Sequence, residues 1–160
     1  MVFGMSLAAY TFMHVVISLI GIGTGLFVLF GMIDNKRLEG WTGLFLAFTF
    51  ATSLTGFGFP FVKLLPSHIV GLISLVVLAL AVLARYQFHL AGGWRKTYVI
   101  TAVLALYLNV FVLIVQSFLK VPFLHALAPT QTETPFKAAQ LAVLVVFVGL
   151  TFFAVKKFRK

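Results

Sequence analysis

The chain has 160 residues, 62% hydrophobic and 9% charged, with a mean hydropathy of +1.13 and a net charge of +9. Soluble domains carry about 25% charged residues, so this composition excludes a water-soluble domain with a polar surface. The absence of cysteine excludes disulfides, thiolate metal sites, thioether-linked haem and cysteine nucleophiles.

The expected fold is an all-α integral membrane protein, a five-transmembrane-helix bundle forming one transmembrane domain over residues 1–160. At roughly 20 apolar residues per span, five spans and short loops use the whole length. A spanning segment must satisfy its own backbone hydrogen bonds, which makes each span a helix. The first runs over about 7–33. Nothing before Asp34 is charged and the apolar run is too long for a signal-peptide core, so it reads as a retained helix. The second runs over about 41–61 and stops at Gly56-Phe57-Gly58-Phe59-Pro60. The third follows Pro66-Ser67 and covers about 68–85. The fourth covers about 96–119 and stops at Lys120 and Pro122. After the polar loop from Ala128 to Pro135, the fifth covers about 138–155.

Lysine and arginine set the orientation. Lys36, Arg37, Arg85, Arg95, Lys96, Lys156, Lys157, Arg159 and Lys160 fall on one side of a five-span arrangement; Lys63, Lys120 and Lys137 fall on the other. The heavier side is the cytoplasmic one, which places the N-terminus outside and the C-terminus inside, with a bacterial inner membrane as the expected location. The same distribution, basic residues in short segments between apolar runs, fits an anionic leaflet and not nucleic acid. All five prolines then lie on the outer side, where shaped loops are expected.

An internal repeat is also expected. His14-Val-Val-Ile-Ser-Leu resembles His68-Ile-Val-Gly-Leu-Ile-Ser-Leu, Trp41 and Trp94 each follow glycine, and Lys63 precedes His68 as Lys120 precedes His125. A duplicated helical hairpin with a fifth helix appended accounts for these matches; chance similarity between leucine-rich segments is the competing reading.

The topology gathers His14, His68 and His125 at the outer face, with His89 apart in an inner loop. An ionisable residue inside a span usually faces the bundle interior with a partner, and His14 shares a helical face with the small residues Ser18, Gly21 and Gly25. Imidazole suits haem iron, copper and zinc. Two histidines on separate helices, His14 and His68, suit the axial positions of a b-type haem. His125 serves as a third or substitute ligand, and three converging histidines suit copper or zinc. The alternative is that His14 hydrogen-bonds a neighbouring helix while His68 and His125 cap helices or sit at the interface. In the fourth span Asn109 and Gln116 share a face, with Tyr107 near the membrane centre; they join helices, contact a quinone or line a polar path. Thr49, Thr52, Ser53 and Thr55 are expected to bond back to helix carbonyls.

Enzyme machinery is sparse. The three acids are Asp34, Glu39 and Glu133, and the chain has no phosphate-binding loop, HExxH or GxSxG. The layout of histidines near helix ends on one face is similar to that of small membrane b-type cytochromes, but the paired histidines of the four-helix members are missing. The expected role is therefore a redox-type membrane protein that binds haem b, or copper or zinc, and passes electrons to or from a partner such as quinone. It reads as an electron carrier or accessory subunit more than a stand-alone enzyme. Two other readings stay open: a structural or assembly subunit of a larger membrane complex, and a small oligomeric transporter built on the repeat.

Overall fold

The computed structural model describes residues 1–159, and 78% of the chain is helix with no strand among those residues. The helices are α1 (Leu7–Ile33), α2 (Glu39–Gly56), α3 (Pro66–Val82), α4 (Trp94–Lys120), α5 (Pro122–Leu127) and α6 (Thr134–Lys157). A π-helical turn, Leu83–Gln87, prolongs α3. Four helices are long and apolar enough to cross a membrane: α1, α3 with its π turn, α4 and α6. The chain is a membrane protein. Its surface carries exposed large hydrophobics such as Leu72, Val76, Val145 and Phe152, which lipid solvates and water does not.

Local chemistry explains the boundaries. Ser6 caps α1, its hydroxyl accepting from the Ala9 N–H at 3.2 Å. The helix begins and ends where the apolar run does. Left-handed Asn35 (φ 58°) and Leu38 (φ 46°) turn the chain into α2. That helix stops at Gly56, five residues before the expected end at Phe61, because Gly56, Gly58 and Pro60 follow one another where the chain leaves the bundle. Pro66, Pro122 and Pro135 sit in the first turns of α3, α5 and α6. There the missing N–H costs nothing, so these prolines start helices more than they end them. The six-residue α5 was expected as loop; Pro122 opens it.

α4 is the hub. Tyr98, Val99, Ala102, Ala105 and Leu106 are almost fully buried, packed with Leu29 and Met32 of α1, Phe45 of α2 and Leu78 and Ala81 of α3. The small-residue face of α1 is what lets these helices close. A Cβ on Gly21 would touch the α2 backbone at Phe48 and Thr49 (3.4 Å), and one on Gly25 would lie 2.7 Å from a Leu106 methyl. α6 packs on α4 and α1 but fully buries only Phe147 and Ala154.

Side-chain ties define two ends of the bundle. At one, Arg85 Nη2 donates to Glu39 Oε2 (2.8 Å) and to the Arg37 carbonyl (3.1 Å). Arg95 Nη1 donates to the Val155 carbonyl (3.1 Å), and the Arg159 N–H to Asn35 Oδ1 (2.9 Å). The start of α2, the π turn, the start of α4 and the end of α6 therefore meet, bringing the basic segments together; Lys160 lies outside the described residues. The histidine-rich segments lie at the other end, where the Tyr10 hydroxyl donates to the Thr55 carbonyl at 2.7 Å.

Candidate functional site

At that second end a cavity of about 350 Å³ opens between α1, α2, α3 and α4. The glycines and serines of these helices make the room: Gly56 and Ser53 on α2 face Gly71 and Ser74 on α3, and Ser53 Oγ donates to Ser74 Oγ across the gap (3.1 Å). Apolar wall is supplied by Phe57, Phe59, Leu108 and Val112, and polar groups by His14, Ser18, His68, Asn109, Gln116 and Lys120. Such a mixture, mostly apolar with a few convergent polar groups, is the usual composition of a small-molecule site.

His14 is held by two partners. Its ring meets Phe59 edge-on at 5.2 Å, and its Nδ1 lies 2.7 Å from Thr55 Oγ1. The Thr55 hydroxyl spends its own proton on the Ala51 carbonyl (2.7 Å). The bond to His14 must therefore run the other way, with Nδ1–H donating to Thr55. In the neutral ring this leaves Nε2 unprotonated, a lone pair open to a ligand's hydroxyl or to a metal ion.

His68 carries the opposite tautomer. Its Nδ1 accepts from the Leu65 N–H (3.0 Å) in the first turn of α3, so its proton sits on Nε2. In this arrangement the outward group of the ring is a donor. The ring lies against Phe61 at 5.1 Å and Phe57 at 6.0 Å. His125 is on α5 and is not a wall of the cavity; its Nδ1 lies 3.3 Å from the Phe118 carbonyl, so it donates there to the end of α4. The structure thus brings His14 and His68 to one cavity and leaves His125 outside it. No group of three or more His, Asp or Glu side chains is gathered for a metal ion among the described residues.

Asn109 and Gln116 both face the cavity from α4, as their shared helical face implies. The Ser18 hydroxyl donates to Asn109 Oδ1 at 2.9 Å, while the buried Nδ2 has no partner. Tyr107 turns away, toward Phe147 of α6 (5.6 Å). Of the four α2 hydroxyls expected to bond back, Thr52 and Thr55 do so, to Phe48 and Ala51, but Ser53 crosses to α3 and buried Thr49 has no partner.

No family model, curated protein or solved structure matches the chain. The chemistry of the site is therefore read from its own residues.

Two features escaped the sequence reading. Lys120, read as the stop of a span, an outer cation and part of the repeat but not as a site residue, is a wall of the cavity. Arg85, counted as a loop cation, is only 2% exposed. For Arg85 a signal existed: it ends the apolar run Val76–Ala84, so burial demanded a partner, and Glu39 is one of two acids at that end.

Proposed function

We propose that the protein binds a lipophilic, carbonyl-bearing molecule of the quinone class in the cavity between α1 and α4, as a membrane component of an electron-transfer chain. The observation that carries this is the pair of opposite hydrogen-bond settings of His14, with Nδ1 against the Thr55 hydroxyl, and His68, with Nδ1 accepting from the Leu65 N–H, on the walls of one cavity. A quinone has two carbonyl oxygens that accept hydrogen bonds, and the cavity offers donors in His68 Nε2–H, the Gln116 amide and the Lys120 ammonium. Its reduced form has hydroxyls that donate, and His14 Nε2 is the matching acceptor. Oxidation of the quinol to the quinone releases two protons and two electrons: His14 Nε2 takes one hydroxyl proton, the second passes to water at the mouth of the cavity, and both electrons leave to a redox cofactor of a partner subunit. A single-ring head group suits a volume near the lower end of the usual range of about 300–1,000 Å³, and an isoprenoid tail would continue into lipid.

A five-span bundle supports this reading. α2 has 18 residues, and at 1.5 Å per residue its length approaches the roughly 30 Å hydrocarbon core. It forms a cavity wall at one end and joins the basic cluster at the other. With the basic end cytoplasmic, the cavity opens near the outer face.

The test is a titration of the purified protein in detergent with a short-chain benzoquinone, read by tryptophan fluorescence or calorimetry. Saturable binding at micromolar concentration is expected. His14→Ala and Gln116→Ala should weaken it by about tenfold, the loss of one hydrogen bond to a buried partner. Thr55→Val, which frees the His14 tautomer, should weaken quinol binding more than quinone binding. Failure of any quinone to saturate the wild-type protein overturns the proposal.

A second reading has its own support. A ring that donates through Nδ1 and keeps Nε2 bare is the arrangement that metal-bound histidines adopt, so His14 suits one axial position of a b-type haem. A Soret band after haemin reconstitution, lost in His14→Ala and kept in His68→Ala, would favour it; no Soret band dismisses it.

A further inference from the structure

At the basic end, α4 and α6 enclose a second depression, about 440 Å³, lined by Arg95, Lys96, Phe152, Val155, Lys156 and Arg159. Its charge is uncompensated. Asp34 pairs with Lys36, and Glu39 with Arg37 and Arg85. Glu133 belongs to the opposite loop, where its carboxylate accepts from Thr130 and Thr132. No carboxylate among the described residues pairs with Arg95, Lys96, Lys156 or Arg159. Arg95 is also oriented: Nη1 donates to the Val155 and Phe158 carbonyls at the end of α6, which pins the guanidinium between the two helices. Lys156 lies over the Phe152 ring at 5.6 Å. Phe152 and Phe153 are exposed, so an apolar surface runs from the cationic depression onto the open face of α6.

We propose that this depression is a binding site for the phosphate of an anionic membrane phospholipid, whose acyl chains lie along the exposed face of α6. Four cations without acids match a phosphodiester or a pair of them. The apolar surface leading away matches a lipid and not a free anion, which would gain nothing from Phe152. Basic depressions between spanning helices on the cytoplasmic side have the composition that retains anionic head groups. The site is independent of the outer cavity, and neither stands or falls with the other.

The experiment is native mass spectrometry of the full chain in mild detergent with added phosphatidylglycerol, cardiolipin or phosphatidylcholine. Retention of the anionic lipids over phosphatidylcholine is expected. The triple variant Lys96→Gln, Lys156→Gln, Arg159→Gln, which keeps Arg95 and its tie to α6, should lose about a hundredfold in apparent affinity for them. Lys36→Gln, at the same end but paired with Asp34, should leave retention unchanged. Equal retention of all three lipids, or an unchanged preference in the triple variant, overturns the proposal. Displacement of the lipid by millimolar inorganic phosphate assigns the site to a free anion and overturns its lipid source. If the triple variant does not fold, hydrogen exchange of the wild-type chain in nanodiscs decides. Slower exchange at Trp94–Thr97 and Val155–Phe158 in phosphatidylglycerol than in phosphatidylcholine upholds the proposal, and equal exchange sinks it.

Discussion

Arg85 joins three elements through one nitrogen. Nη2 reaches both the Arg37 carbonyl and Glu39, while Nε and Nη1 are buried without protein partners and the guanidinium lies 5.1 Å from the Tyr98 ring centre. Desolvating a cation here is costly, and the Tyr98 face and the Glu39 carboxylate offset part of that cost. Truncation leaves a cavity beneath the π turn and frees the start of α2. Arg85→Ala is expected to destabilise the protein by about 2–4 kcal/mol. Arg85→Met, which refills the space and removes the orphaned donors, should cost less than half as much. Thermal midpoints in one detergent compare the two, and equal losses would mean that charge, not packing, sets the role of this side chain. The same residue shows where reading a sequence stops. Its position after an apolar run was visible, but its partner, 46 residues earlier, was a matter of three-dimensional packing. The histidines repeat the lesson: the shared end of the bundle for His14 and His68 followed from spacing, whereas their opposite tautomers depend on Thr55 and on the Leu65 N–H, which no pattern of residues announces.

Elements were legible wherever a strong signal bounded them. α1 occupies 7–33 as its apolar run implies, whereas α2, diluted by glycine, threonine and serine, is shorter at its far end and falls outside the set of long apolar helices. The short α5 was hidden by two habits of proline, which breaks a helix interior but suits a first turn. The glycines of α1 separate packing from propensity. Gly25 would place a Cβ 2.7 Å from Leu106 Cδ1 and 2.8 Å from the Phe45 ring, and both side chains are 1% exposed, so neither can yield. Gly23, two residues earlier, has nothing within 4 Å of such a Cβ. Gly25→Ala is expected to cost about 1–3 kcal/mol by overpacking. Gly23→Ala should be neutral or stabilise by about 0.5–1 kcal/mol, through helix propensity and a less free unfolded chain. Unfolding in mixed micelles measures both, and a Gly25→Ala variant as stable as the parent would mean that α1 sits farther from α2 and α4 than the packing indicates.

At the scale of the whole molecule, the number of crossings decides which ends of the chain share a compartment. With α1, α3, α4 and α6 alone as spans, the turn after α1 and the end of α6 would lie on opposite sides of the membrane. The Arg159 N–H nevertheless donates to Asn35 Oδ1 at 2.9 Å, and Arg85 of the α3–α4 connection reaches Glu39 beside that same turn. Both ties are what the proposed five-span arrangement, with α2 crossing as well, would produce, and the clustering of basic residues at one end accords with that proposal. The absence of native cysteine makes this directly measurable. Single cysteines at Asn35, Lys63, Gly92, Gln131 and Arg159 are expected to alternate in labelling by a membrane-impermeant maleimide on intact cells. Lys63→Cys and Gln131→Cys should label from outside, and the other three only after permeabilisation. Four crossings would instead put Asn35, Lys63 and Gln131 together on one side and Gly92 and Arg159 on the other. Asn35 and Lys63 thus carry the decision, because they lie on opposite sides only when α2 crosses: equal labelling of Asn35→Cys and Lys63→Cys would overturn the five-span arrangement, and a labelled Asn35→Cys with a protected Lys63→Cys would overturn the placement of the cavity near the outer face.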